Sequence, residues 1–159
     1  MLDGAWSVRI YKIEDAVYDA IDLRNVVYPY WVVSYIVEGS VEVTVPGETF
    51  AAESGQVMVH APHVPFGERS GTPGRHLWLL ADIRNGFGVD LFRIVPVGEI
   101  VTLADPASFA RLFRELLALN GRDDVEFGEL KRTALGLQLA AMLLDGWARY
   151  GREPRRQRG

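Results

Sequence analysis

The sequence predicts a mostly β domain, an antiparallel sandwich or barrel, closed by a C-terminal α-helical hairpin. Three observations carry this. Apolar and polar residues alternate in short stretches over the first hundred positions. Gly39, Gly47 and Gly55 fall eight residues apart, and each closes a short run. At Asp105 the apolar period changes from two to that of a helix.

The strands come first. Trp6, Val8 and Ile10 alternate with Ser7, Arg9 and Tyr11, and Val41, Val43 and Val45 alternate with Glu42 and Thr44. This period of two marks strands with one covered face. Pro46-Gly47 supplies the fixed φ and then the positive φ of a type II turn. The stretch Trp31 to Val37 is apolar on both faces apart from Ser34, which predicts a strand covered on both sides. Gln56–Ala61, Leu77–Ile83 and Ile100–Leu103 read as further strands. Arg69–Arg75 and Arg84–Gly88 read as loops from their Gly, Pro, Ser and Asn content.

Asp105-Pro106 is a helix start, an N-cap followed by proline at the first helical position. Phe109, Leu112, Phe113 and Leu116 then follow helical spacing, and Asn120-Gly121 is the stop. A second helix is expected from near Asp124, with Asp123, Asp124, Glu126 and Glu129 at its start and Arg149 and Arg152 at its end, as the helix dipole favours. It carries a heptad stripe of Leu130, Ala134, Leu137, Ala141, Leu144 and Ala148. That stripe predicts a dimer interface; the alternative is an ordinary core helix in a monomer. The organisation is thus a barrel over 1–104, a helical hairpin over 105–150 and a basic tail or linker over 151–159.

Composition excludes several classes. At 159 residues, 48% hydrophobic and 24% charged, the chain suits one globular domain and not a disordered segment. It has no cysteine, which excludes a disulfide framework, a thiolate metal site and a cysteine nucleophile, and fits a reducing compartment. The longest nearly apolar run, Ala134–Leu144, is too short to span a bilayer. The N-terminus lacks the basic and apolar regions of a signal peptide, so a cytoplasmic location and no membrane partner are expected. The net charge is −4, yet the last eleven residues carry five arginines against Glu153 alone. The body is therefore acidic and is not expected to bind DNA by itself. No P-loop, dinucleotide fingerprint or nucleophile–base set is present.

The stretch Tyr28-Pro-Tyr-Trp-Val-Val-Ser-Tyr-Ile-Val-Glu-Gly39, then Val41-Glu-Val-Thr-Val-Pro-Gly47, then Gly55-Gln-Val-Met-Val-His-Ala-Pro62 resembles a cupin. More narrowly, with Arg75-His-Leu-Trp78 and the following helices, it is similar to the N-terminal sensor domain of AraC-type transcription regulators. The resemblance covers about residues 8–150. It implies a jelly-roll barrel that binds an effector inside, a homodimer formed through the hairpin, and DNA contact only through a helix-turn-helix region absent from this sequence. Many cupins are metalloenzymes, but here the corresponding ligand positions hold Asn25, Val27, Val32 and Phe66, so neither a metal nor another cofactor is expected. His60, His63 and His76 read as turn and strand histidines.

The resemblance also implies ligand-binding residues. Counting back from the Gly39 turn, Arg24 stands where the family's sugar sensor has an arginine, and His76 and Trp78 match its histidine and tryptophan. A guanidinium fork suits sugar hydroxyls or carboxylates, and an indole face suits the C–H face of a pyranose. His76 and Trp78 are two apart on a strand and so share a face. Trp78 can equally be core, and Arg24 can equally pair with Asp22 at the surface. Tyr11 and Tyr30 are further candidate contacts or ordinary barrel residues. Glu68 stands where that sensor has a tyrosine. The expected ligand is a small polar effector, a sugar or sugar acid. The alternatives are a stand-alone cupin enzyme, an isomerase or epimerase acting on a sugar, and a structural dimer without ligand.

Overall fold

The computed structural model describes residues 5–151. All of the expected tail but Gly151 lies outside the described residues. Among the described residues the strands are β1 (Trp6–Tyr18), β2 (Ile21–Val26), β3 (Trp31–Glu38), β4 (Ser40–Val45), β5 (Glu48–Glu53), β6 (Gln56–His60), β7 (Phe66–Ser70), β8 (Gly74–Asn85) and β9 (Ile100–Thr102). A short helix α1 (Leu91–Ile94) precedes β9, and α2 (Pro106–Leu119) and α3 (Gly128–Gly146) follow it. A π-helical turn, Trp147–Gly151, ends the described chain.

The strands form two antiparallel sheets, β1-β8-β3-β6-β9 and β2-β7-β4-β5. The glycines place the reversals. Gly39, Gly47 and Gly55 all have positive φ, which a residue with a Cβ adopts only under strain. At Gly39 there is a second reason: a Cβ would meet the Pro73 carbonyl at 3.2 Å.

The five-stranded sheet is covered on both faces, which is why β3 is apolar throughout. Along β8 the odd residues Leu77, Leu79 and Ala81 join Val33, Tyr35, Val57 and Val59 in a core against Phe109, Phe113, Leu116, Leu139 and Leu143 of the helices. The even residues His76, Trp78 and Leu80 face the other sheet. The hairpin therefore shares the barrel's largest core. Small residues bring α3 onto the sheet: a Cβ at Gly136 would meet the Val8 side chain at 2.7 Å. Asp105 caps α2 by accepting from the Ser108 N–H, as its sequence predicts.

Several boundaries differ from expectation. The Arg69–Arg75 stretch is loop only around Gly71–Pro73, because β7 runs to Ser70 and β8 starts at Gly74. Likewise β8 extends to Asn85. The helix α3 starts at Gly128, not Asp124, since Phe127 sits in the left-handed region at φ 58° and ends the preceding turn.

The space between the two sheets is filled unequally. Ile36, Val41, Val43, Ala52 and Met58 pack one end without polar atoms. The other end, beyond Val32, Phe66 and Leu80, holds a cavity.

Candidate functional site

The cavity measures about 270 Å³ and lies inside the barrel, lined by β1, β2, β3, β7, β8 and the β2–β3 turn. Strand alternation explains its lining. His76 pairs with Ala16, and Trp78 pairs with Glu14, so these four project inward together. Phe66 and Glu68 reach the cavity from β7, and Ile21 and Leu23 from β2. Tyr28 completes an aromatic wall, with ring centroids 6.5 Å from Trp78 and 6.4 Å from Phe66.

A chain of buried polar side chains forms one side. Tyr18 Oη lies 2.8 Å from His76 Nε2. His76 Nδ1 is 3.9 Å from Glu68 Oε1, and Glu68 Oε2 is 2.9 Å from His60 Nε2. Glu68 and both histidines are buried. Burial pushes the His76 imidazole below its ordinary value, against the opposite pull of Glu68. Burial, then the Glu68 charge, pushes the Tyr18 hydroxyl up. Tyr18 and His76 share one hydrogen bond through Oη and Nε2, and the other imidazole nitrogen, Nδ1, lies on the Glu68 side. His60 Nε2–H donates to Glu68, its ring stacks on Phe66 at 3.7 Å, and its buried Nδ1 has no hydrogen-bond partner among the described residues.

At the rim, the Lys12 ammonium sits 5.1 Å from the Trp78 ring centroid and 3.6 Å from Glu14. The cavity lining itself contains two carboxylates, Glu14 and Glu68, and no lysine or arginine. No group of three or more His, Asp or Glu among the described residues has the arrangement of a metal site.

The structure brings His76 and Trp78 together in the cavity and leaves the other three sequence candidates outside its lining. Arg24 is corrected to a surface residue. It makes two hydrogen bonds to Asp22, at 3.0 and 2.9 Å, and its side chain is 77% exposed. The reason is strand alternation: Ile21 and Leu23 point inward, so Asp22 and Arg24 point out. Tyr11 and Tyr30 are corrected too. A register shift between Ile10 and Lys12 displaces Tyr11, which stacks on Tyr30 at 3.7 Å and donates to Asp82. His63 adopts positive φ in a turn, and its N–H donates to the Tyr28 carbonyl.

Sequence reading missed Tyr18, Tyr28 and Glu68 as cavity residues, and His60 as their neighbour. One signal was available: Glu68 is two residues from Phe66 and so shares its face, but β7 has a single large apolar residue and does not read as a strand.

A second space of about 290 Å³ lies between β1 and the α2–α3 connection. Of its lining arginines, Arg122 pairs with Asp124, Arg132 donates to the Leu119 and Arg122 carbonyls, and Arg9 lies over the Tyr11 ring at 5.6 Å. The barrel interior is therefore the stronger site. The predicted heptad stripe lies away from both. Leu130, Ala134, Ala141 and Ala148 are exposed and Leu137 and Leu144 half-buried, because α3 turns Gly136, Leu139, Ala140, Leu143 and Gly146 toward the barrel. No helix of the described chain is long and apolar enough to cross a membrane.

No protein-family profile matches this sequence. No curated protein is similar to it. Solved structures do share its fold. The AraC-like transcriptional activator CuxR superposes with a TM-score of 0.62 at 12% identity, over 92% of this chain and 55% of that one. Shorter superpositions, each with a TM-score of 0.39, link it to an RmlC-like cupin from Shewanella frigidimarina (19% identity, 51% of this chain, 79% of the other) and to a putative ethanolamine utilization protein from Salmonella typhimurium (18% identity, 47% and 68%). The fold, two antiparallel sheets followed by C-terminal helices, is the one shared with CuxR.

Proposed function

We propose that this chain is the effector-sensing and dimerisation domain of an AraC-type transcription regulator. In this reading the effector is a small polar molecule held inside the barrel, and DNA is contacted by a region outside this chain. The observation that carries the proposal is the interior cavity, walled by Trp78, Tyr28 and Phe66 and edged by Tyr18, His76 and Glu68. Apolar walls with a few fixed polar groups are the usual makeup of a small-molecule site. Two further facts support it. The fold shared with CuxR extends over the helices as well as the barrel. On α3, Leu130, Ala134, Ala141 and Ala148 of the heptad stripe are exposed, while Leu137 and Leu144 are half-buried and pack partly on the core, which leaves part of the stripe for a second copy.

A thermal-shift screen of small polar compounds tests the binding half. A ligand at a hundred times its dissociation constant adds about 2.7 kcal/mol. The reading requires that at least one compound stabilise the wild type and that Trp78→Leu remove the effect. Stabilisation that survives Trp78→Leu would place the ligand elsewhere.

One observation favours a second reading. A phenol, an imidazole and a carboxylate in series could move a proton, as an isomerase or epimerase needs. Incubating the bound ligand with the protein separates the two: a sensor returns it unchanged, and an isomerase does not.

A further inference from the structure

We propose that the ligand of the barrel cavity is an organic ammonium ion, not a sugar acid. This rests on the reading of the interior as a ligand site and adds its chemical class. Three observations carry it.

The first is charge. Glu14 and Glu68 line the cavity, and no arginine or lysine does. Arg24, the cation a sugar acid would need, is on the outer surface with Asp22. Lys12 at the rim offsets Glu14 alone. The lining thus offers acidic side chains and no lysine or arginine to balance an anionic ligand.

The second is a carboxylate acceptor. Glu68 is buried, and its Oε2 accepts from His60. Its Oε1 has His76 Nδ1 at 3.9 Å, beyond hydrogen-bond distance, and Glu68 lines the cavity. A carboxylate oxygen at a cavity wall is a ready acceptor for the N–H or the charge of an ammonium ligand.

The third is the wall. Trp78, Tyr28, Phe66 and Tyr18 all line the cavity. Aromatic faces attract cations through the ring quadrupole, most strongly where water is excluded. The chain's own Lys12 ammonium already rests over Trp78 at 5.1 Å. The rim thus holds a cation in the place that a ligand's ammonium would pass or take over.

The test compares matched probes by calorimetry on the purified chain. The cations are choline and benzylamine. Their uncharged counterparts are dimethylbutanol and benzyl alcohol, and galacturonate represents sugar acids. At least one cation should bind about tenfold or more tightly than its uncharged counterpart. Glu68→Gln should erase that preference. Should this variant fail to fold, Lys12→Met at the exposed rim serves instead, and should strengthen cation binding by removing the competing ammonium. Equal binding within both cation–counterpart pairs would overturn the proposal, as would a weakening in Lys12→Met. Binding of galacturonate or a neutral sugar alone, lost in Trp78→Leu, would overturn it and leave the interior as a ligand site. Absence of binding by both cations overturns it as well.

Discussion

Tyr18, at the end of β1, is hydrogen-bonded through its hydroxyl to His76 Nε2 on β8 across 2.8 Å. This bond ties the edge strand to the cavity wall and holds the imidazole with Nδ1 on the Glu68 side. The burial of His76 has a consequence for stability.

Burial holds His76 below its ordinary value of 6.5. Between that depressed value and 6.5, the unfolded chain binds a proton that the folded chain does not. Stability therefore falls as pH drops through this window, and above 6.5 His76 adds no pH dependence. Urea denaturation from about pH 7.5 to about pH 5 should show a steeper decline in the wild type than in His76→Gln, by up to about 1.4 kcal/mol per pH unit. Parallel declines would show that His76 is not the depressed group.

Gly146 should not tolerate alanine. In an open helix the change stabilises by about 1 kcal/mol. Here the new Cβ would press on the Thr102 carbonyl oxygen, a backbone atom that cannot swing aside. Overpacking typically costs about 1–3 kcal/mol, so the net effect of Gly146→Ala should be destabilising. A lowered urea midpoint checks this, and a raised one would mean α3 shifts freely on the sheet.

The α3 stripe should assemble two copies. Leu137 is half-buried and packs partly against the main core, so Leu137→Arg should cost the folded monomer part of that contact and the dimer more. In a dimer it would bury a charge at several kcal/mol. Sedimentation at tens of micromolar should show a wild-type dimer and a Leu137→Arg monomer with the same circular dichroism. A monomeric wild type would refute the interface.

Arg24→Ala should be nearly silent. The Arg24–Asp22 pair is exposed and screened by solvent, so its loss should leave the urea midpoint unchanged. Ligand affinity should also be unchanged. A tenfold loss of affinity would mean that β2 rearranges on binding.

Much of this fold is legible in the sequence because each element obeys a local rule. The Val41–Val45 alternation gives β4, Asp105-Pro106 gives the start of α2, and the two-sided apolarity of Trp31–Val37 foretells a sheet covered on both faces. The hidden elements break those rules. In β2, residues Asp22, Arg24 and Asn25 are polar, and β7 has Phe66 alone to mark it. The site was half legible for the same reason. His76 and Trp78 sit on a strand with clear alternation. Arg24 was placed by counting back from a glycine, which fixes position along the chain but not the face of the strand. Leu23 next to it is the residue that turns inward.

A sensor of this kind must hold its ligand inside the barrel, and Ala16 offers the most direct test. Ala16 lies opposite His76 in register and lines the cavity, so Ala16→Phe places a ring in space that is otherwise open. The small-molecule screen should be run by thermal shift on both proteins. The account predicts that Ala16→Phe keeps the wild-type circular dichroism and loses every stabilising ligand. Ligands that stabilise both proteins equally, or a wild type that no compound stabilises, would contradict it.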